Sequence, residues 1–473
     1  MLLLVVFLLL WAPTSVSSSA EAERRDLRGD ARQLVHELTT GGMRGDAFRW
    51  LAEVTDAFGH RKVGEPSLDE AIRHVVELAR QARFDNVHTE RVPQLPNWTR
   101  GEGEVTMLEP RVESFPFLAI GGSVAGDVTA DAIVVQSFDE LKKLGAKVKG
   151  KIVVYNQPWV SYPISVAYRS GAVQAARLGA VASLVRSVTP FSIRSPHTGW
   201  GNYQNGVPKI PTACITVEDA EMLQRLQYRG QRVRIHFRTS SDTHGTVDSA
   251  NTVFELLGSE RPEEVVLLSA HLDSWDVGQG AMDDGGGCAI AWQALTALKW
   301  LYNGARPKRT IRVVLWTAEE LGMLGSKHYH FEHSKNGTEK VVLAFESDEG
   351  AFRPDSISKA RLQFTGSAAQ KAFLEDTVVK ELIANRVPLS VVNGNPHDQI
   401  DVTPWAEAGL PTVTYANVGR FNYYFFFHHT QGDTMTVFEP EDLDYSAAML
   451  AVLANAVANS DEWAIADDRQ QRY

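Results

Sequence analysis

From about residue 246 onward the chain alternates between two textures. Short, uninterrupted apolar runs give way to longer stretches in which apolar residues return every three or four positions. The runs are "EVVLLSA" (264–270), "TIRVVLW" (310–316), "KVVLAFE" (340–346) and "LPTVTYA" (410–416). Apolar residues at successive positions suit strands buried on both faces, as in a parallel sheet. The stretch "CAIAWQALTALKWLYNG" predicts a helix ending at Gly304, and "LGMLGSKHYHFEH" predicts the next. Strand, loop and helix repeated in this order predict an α/β fold. Its helices should cover both faces of a largely parallel sheet, giving three α/β/α layers.

Upstream the texture differs. Between about Phe115 and Thr239, short β-branched runs such as "GKIVVYNQ" and "RVRIHFRT" alternate with turns and one brief helix, "AVQAARLGA". This predicts a β-rich insertion with little helix, and "AARLGAVASLV" resembles the core of a protease-associated domain. No set of acids, histidines or nucleophiles gathers there, so the insertion is expected to restrict access or bind a partner rather than perform chemistry. Before it, Ser67 and Glu70 form a capping-box pattern ahead of an apolar stripe at Ile72, Val75, Val76 and Ala79. The charged segment "EAERRDLRGDARQLVHELTT" reads equally as a pro-segment, with Arg24 and Arg25 as a processing cue, or as a solvated first helix. The resulting division is a leader at 1–20, a candidate pro-segment at 21–44, catalytic parts at 45–114 and 240–473, and an insertion at 115–239.

The first twelve residues are apolar up to Pro13, too few to span a bilayer but suited to a signal peptide cleaved after Ala20. With that leader, Asn97-Trp98-Thr99 and Asn336-Gly337-Thr338 become candidate glycosylation sites. The expected route is secretory, with endoplasmic reticulum, Golgi and lysosome as stations. A formal net charge of -11 argues against a nucleic-acid-binding surface. No later apolar stretch is long enough to predict a membrane span. Only Cys214 and Cys288 are present, which excludes a disulfide scaffold and suits two buried thiols.

Functional groups of open α/β sheets gather at the carboxyl ends of the strands. There the chain carries His271, then Glu319-Glu320, then Asp348, and finally a loop with His428 and His429. The stretch "SAHLDSWDVGQGAMDDGGG" (269–287) adds four aspartates, at 273, 276, 283 and 284. Mixed imidazole and carboxylate donors suit zinc better than magnesium. The set His271, Asp283, Glu320, Asp348 and one of His428 or His429 is too large for a single catalytic zinc. A carboxylate shared between two ions resolves that excess.

"AHLDSWDVGQGAMDDGGG", "LWTAEELGMLGS", "ESDEG" and "HHTQGDTMT" resemble the co-catalytic dizinc aminopeptidase/glutamate carboxypeptidase family. The resemblance implies His271 and Asp348 on one zinc, Glu320 and His429 on the other, and Asp283 between them. It implies Glu319 as general base and His428 as a neighbour outside the ligand pattern. Asp273 is placed to orient the His271 imidazole through its other nitrogen. The implied activity is exopeptidase hydrolysis of small peptides, dipeptides with free termini, by a metal-bound hydroxide. A homodimer with two Zn2+ per subunit is implied as well.

Each feature has a plainer rival. Glu319 and Glu320 can serve the dipole of the following helix. His328, His330 and His333 read as surface residues along that helix. The glycines after Asp284 lack the lysine of a phosphate loop. Cys288 has no base placed to activate it. The aromatic run "FNYYFFFHHT" can line a pocket, form a subunit contact or simply be core, and Asp401 is expected near substrate. Rival functions are an aminopeptidase acting on longer peptides, a metal-free receptor-like module, and cyclising acyl transfer. The complete ligand set argues against the last two.

Overall fold

The computed structural model describes residues 26–337, 339–354, 360–397, 400–417 and 421–463. The leader and the Arg24–Arg25 pair lie outside them. Among the described residues, two eight-stranded sheets organise the fold. In the first, Arg309–Trp316, Arg261–His271, Lys340–Glu346 and Thr412–Asn417 lie side by side and parallel. These are the four strands that the apolar runs predict. Alternate residues of Arg261–His271 explain why its run is continuous. Val266, Leu268 and Ala270 join the main core under the helices, while Val265 and Leu267 pack beneath Tyr329 and Trp405 on the other face. Both faces are therefore covered, as a three-layer fold requires.

The flanks are antiparallel. Asp242–Leu256 pairs with Asp85–Thr99 on one side, and Ala360–Thr365 with Thr412–Asn417 on the other. Ala360–Thr365 and Ser390–Asn393 have no long apolar run to mark them as strands in the sequence.

The helix Gly286–Tyr302 lies under the sheet beside Pro440–Asn459, whose residues are nearly all buried. Leu27–Thr39 packs on that same helix, with Ala31, Leu34, Val35 and Leu38 in the main core. Asn455 donates to Asp30 at 3.0 Å within this contact. The first helix is thus solvated on one face only, and a cut removing it would strip apolar side chains from the core. The predicted capping box is absent. Pro66 opens the helix, so Ser67 falls inside the first turn and its hydroxyl has no partner. The apolar stripe Ile72, Val75, Val76 and Ala79 is buried as expected.

The insertion's sheet begins at Gly103–Glu109, paired with Arg234–Thr239, so its structure starts a dozen residues before the expected boundary. It also holds more helix than expected: Phe138–Leu144, Gly171–Arg177 and Val217–Tyr228 accompany the parallel strands Ile152–Tyr155, Ala182–Arg186 and Thr212–Ile215. Cys214 and Cys288 are free and buried, one in each sheet's territory. Asn97 sits half-buried on the strand Asp85–Thr99, Asn336 ends the helix Leu324–Asn336, and Thr338 lies outside the described residues.

Candidate metal centre

Each candidate ligand leaves the sheet at the carboxyl end of a parallel strand or from a loop folded over that edge. His271 ends its strand, Glu319 and Glu320 follow Trp316, and Asp348 follows Glu346. Asp283 comes from the turn ahead of the helix Gly286–Tyr302, and His428 and His429 follow the short helix Phe421–Phe427. The run "FNYYFFF" is therefore helical, with Tyr424 and Phe425 buried against the core.

Asp283 stands at the middle. One carboxylate oxygen lies 3.2 Å from His271 Nε2 and the other 3.1 Å from His429 Nε2. On the first side, Asp348 Oδ1 is 3.4 Å from His271 Nε2. On the second, Glu320 Oε2 is 3.0 Å from His429 Nε2, and His428 Nε2 is 3.5 Å from Asp283. Despite these short distances, His271 Nε2, Asp283 Oδ2 and Glu320 Oε1 are buried without a hydrogen-bond partner. Donor atoms that converge without bonding one another are aimed at shared points, which is how ligands face a cation. Buried polar atoms left so are costly unless something satisfies them. With two imidazoles and three carboxylates, the donor set fits a pair of borderline cations such as zinc.

The surroundings fix the donors. His271 Nδ1 is 2.9 Å from the backbone carbonyl of Asp273, and His429 Nδ1 is 3.1 Å from that of Thr198. Carbonyls only accept, so each Nδ1 carries the proton and each Nε2 keeps its lone pair. The Asp273 carboxylate has a further task. It accepts from the backbone N–H groups of Glu319, at 3.1 Å, and Glu320, at 3.4 Å, and so holds the turn bearing both glutamates. Asp433 accepts from the N–H of Met282 at 2.7 Å and of Asp283 at 3.2 Å, anchoring the central ligand. Its signal was the last acid of "HTQGDT". Arg61, wholly buried, donates to the carbonyls of Leu272, Gln279 and Gly280 at 2.6–2.8 Å and braces the loop from below.

Burial and crowding set the charges. Burial pushes Glu319 and Glu320 well above the usual carboxylate range, reinforced by neighbouring acids. For Asp283 burial also pushes upward, but the imidazoles of His271 and His429 on either side outweigh it and carry the group well below. Glu319 is the most open of the set, with 17 % of its side chain exposed against 10 % or less for the donors. Its carboxylate lies 4.0 Å from His271 Nε2.

The remaining candidates divide. Asp284 caps the helix Gly286–Tyr302 by accepting from Gly287 at 3.0 Å. Asp276 pairs with Arg100. Asp401 is fully buried against Ser326 and offers substrate no open face; burial raises it to about 7. The Cys288 thiol reaches the His271 carbonyl at 3.1 Å, and burial pushes its pKa up, so it is no nucleophile. His333 is not a simple surface residue: it stacks on Tyr329 and bridges Glu90 and Glu339. His330 meets the ring of Trp405 edge-on.

The insertion reaches the centre. His197 Nδ1 lies 2.7 Å from the His428 carbonyl, and Tyr162 meets the His428 ring edge-on. Arg169 donates to the Tyr162 hydroxyl at 2.9 Å. Arg169 is 2 % exposed, and its Nε and Nη2 have no acceptor.

A family model described as "Peptidase family M28" matches residues 251–454, the span holding every proposed ligand. Carboxypeptidase Q of Mus musculus is 46% identical over 437 residues, covering 91% of this chain and 90% of the mouse protein. The chain belongs to peptidase family M28. Carboxypeptidase Q of Homo sapiens is 45% identical over the same length. The solved structure of a peptidase M28 precursor from Shewanella amazonensis superposes with a TM-score of 0.84 at 30% identity, covering 92% of this chain and 97% of its own. A zinc aminopeptidase from Bacillus subtilis shares the fold, with a TM-score of 0.66 at 19% identity, over 90% of this chain and 99% of its own.

Proposed function

We propose that this metallo-exopeptidase holds two zinc ions and hydrolyses dipeptides with free termini. His271 and Asp348 would hold one ion, Glu320 and His429 the other, and Asp283 both. When bound, the ions supply Lewis acidity to the attacking water and the scissile carbonyl. The chain's own residues supply the rest. Glu319, raised by its buried setting and open to the site, takes a proton from the attacking water and returns it to the leaving amine. Asp273 keeps that carboxylate in place through the two backbone N–H groups it accepts. Tyr162, which accepts from Arg169, has its own O–H proton left to donate toward substrate.

The observation that favours dipeptides is Arg169. Among the cations nearest the centre, Arg61 gives its N–H groups to carbonyls and Arg100 is paired with Asp276. Arg169 alone of these three has no carboxylate and two nitrogens without acceptors. A buried guanidinium in that condition suits a planar anion such as a peptide's terminal carboxylate. An aminopeptidase acting on longer chains has no use for it. The names of the carboxypeptidase Q relatives favour the same end of the substrate.

The test is a panel of dipeptides, N-blocked dipeptides, dipeptide amides and tetrapeptides. Free dipeptides should be the best substrates. Equal or faster cleavage of tetrapeptides would make this an aminopeptidase of longer chains. We further propose secretion after removal of the leader, glycans at Asn97 and Asn336, and a homodimer. No helix among the described residues is long and apolar enough to cross a membrane. Sedimentation and a mobility shift on enzymatic deglycosylation test the last two.

A further inference from the structure

His429 has a backbone φ of 62°, in the left-handed region that a bulky residue enters only under constraint. The constraint comes from the insertion. Thr198 donates its backbone N–H to the His429 carbonyl at 3.0 Å, and its own carbonyl meets His429 Nδ1 at 3.1 Å. One residue therefore grips both the strained backbone and the imidazole.

Thr198 is itself held from the catalytic side. Its hydroxyl donates to the Ala119 carbonyl and accepts from Arg100 Nη1, each at 3.0 Å. Arg100 stands where the chain enters the insertion and makes a two-pronged pair with Asp276, Nε to Oδ2 at 2.9 Å and Nη2 to Oδ1. The pair is largely buried, at 14% and 12% side-chain exposure. The guanidinium lies 5.1 Å from the Trp98 ring and 5.6 Å from that of Trp275, and the Trp275 ring lies 5.7 Å from His429. Asp276 belongs to the same loop as His271 and Asp283. A closed circuit thus runs from that loop through Arg100 and Thr198 to His429.

We infer that the insertion domain positions His429, and that the Arg100–Asp276 clamp thereby sets the affinity of one zinc site and not the other. The asymmetry follows from the supports. The His271 imidazole leans on the Asp273 carbonyl of its own loop, whereas the His429 imidazole leans on the Thr198 carbonyl of the insertion. Arg100 and Thr198 are positioning residues. The inference rests on reading His429 as a ligand of the second ion.

Zinc per chain, measured after equilibration with chelator of graded strength, tests this in wild type, Thr198→Val and Arg100→Gln. Loss of support behind a metal-bound imidazole typically weakens binding about 10- to 100-fold. One of the two ions should therefore leave each variant at correspondingly weaker chelation, while the other stays as in wild type. The zinc-free Thr198→Val protein should melt close to zinc-free wild type. Two ions held with wild-type affinity in Thr198→Val, or both ions weakened equally, would overturn the inference. His429→Ala separates the underlying reading: if that variant keeps both ions at wild-type affinity, His429 is not a ligand at all.

Discussion

Replacing Arg169 with methionine removes, of the three cations nearest the centre, the one whose guanidinium has nitrogens without acceptors, while keeping an apolar side chain of similar length. The guanidinium makes a single bond, to Tyr162, and its Nε and Nη2 have no acceptor. A substrate carboxylate taking both would form a desolvated, two-pronged, charge-assisted pair. Truncating one side of such a pair costs about 2–4 kcal/mol, which is about 30- to 1000-fold in kcat/KM. A dipeptide amide, with no terminal charge, should lose far less. The assay is kcat/KM for one dipeptide and its amide, in wild type and Arg169→Met. Stability should move the other way. Without substrate the guanidinium is buried and short of acceptors, so the variant should melt no lower than wild type. Equal losses on dipeptide and amide, or no loss on either, would refute the assignment.

Two further outcomes follow from the fold. Leu34→Ala, at a fully buried position of the first helix, should cost about 2–5 kcal/mol in denaturant unfolding; a loss near zero would mean the segment is expendable. His333 concerns pH. Burial alone would lower it, but bonds to Glu339 and Glu90 raise it to about 9. Its stabilisation is complete below the unfolded value near 6.5 and fades as pH rises through about 9. His333→Gln should therefore destabilise by about 1–2 kcal/mol at pH 6, allowing for partial solvent exposure, and by little at pH 10. A penalty independent of pH would contradict this.

The strand ends were legible because an apolar run followed within three residues by His, Glu-Glu or Ser-Asp has few meanings in an α/β chain. Asp283 and His429 were reached through motif resemblance, since no periodicity links a turn before one helix to a loop after another. Asp273 stands out by its position two residues past His271, but which of its atoms meets the imidazole shows only in the fold, where its carbonyl lies 2.9 Å from His271 Nδ1. Thr198 left no trace, because it acts through a backbone carbonyl that any residue offers. Arg169 and Tyr162 lie in a segment without clustered acids or histidines and gain meaning only once the insertion folds against His428. The capping box at Ser67 failed for a local reason, a proline one residue earlier that starts the helix.

Whether Glu319 serves a two-zinc centre is tested by metal content measured beside activity in Glu319→Gln. Two zinc ions per chain are expected in both wild type and variant, with peptidase activity abolished in the variant. Fewer than two ions in the wild type, or full activity in Glu319→Gln, would contradict it.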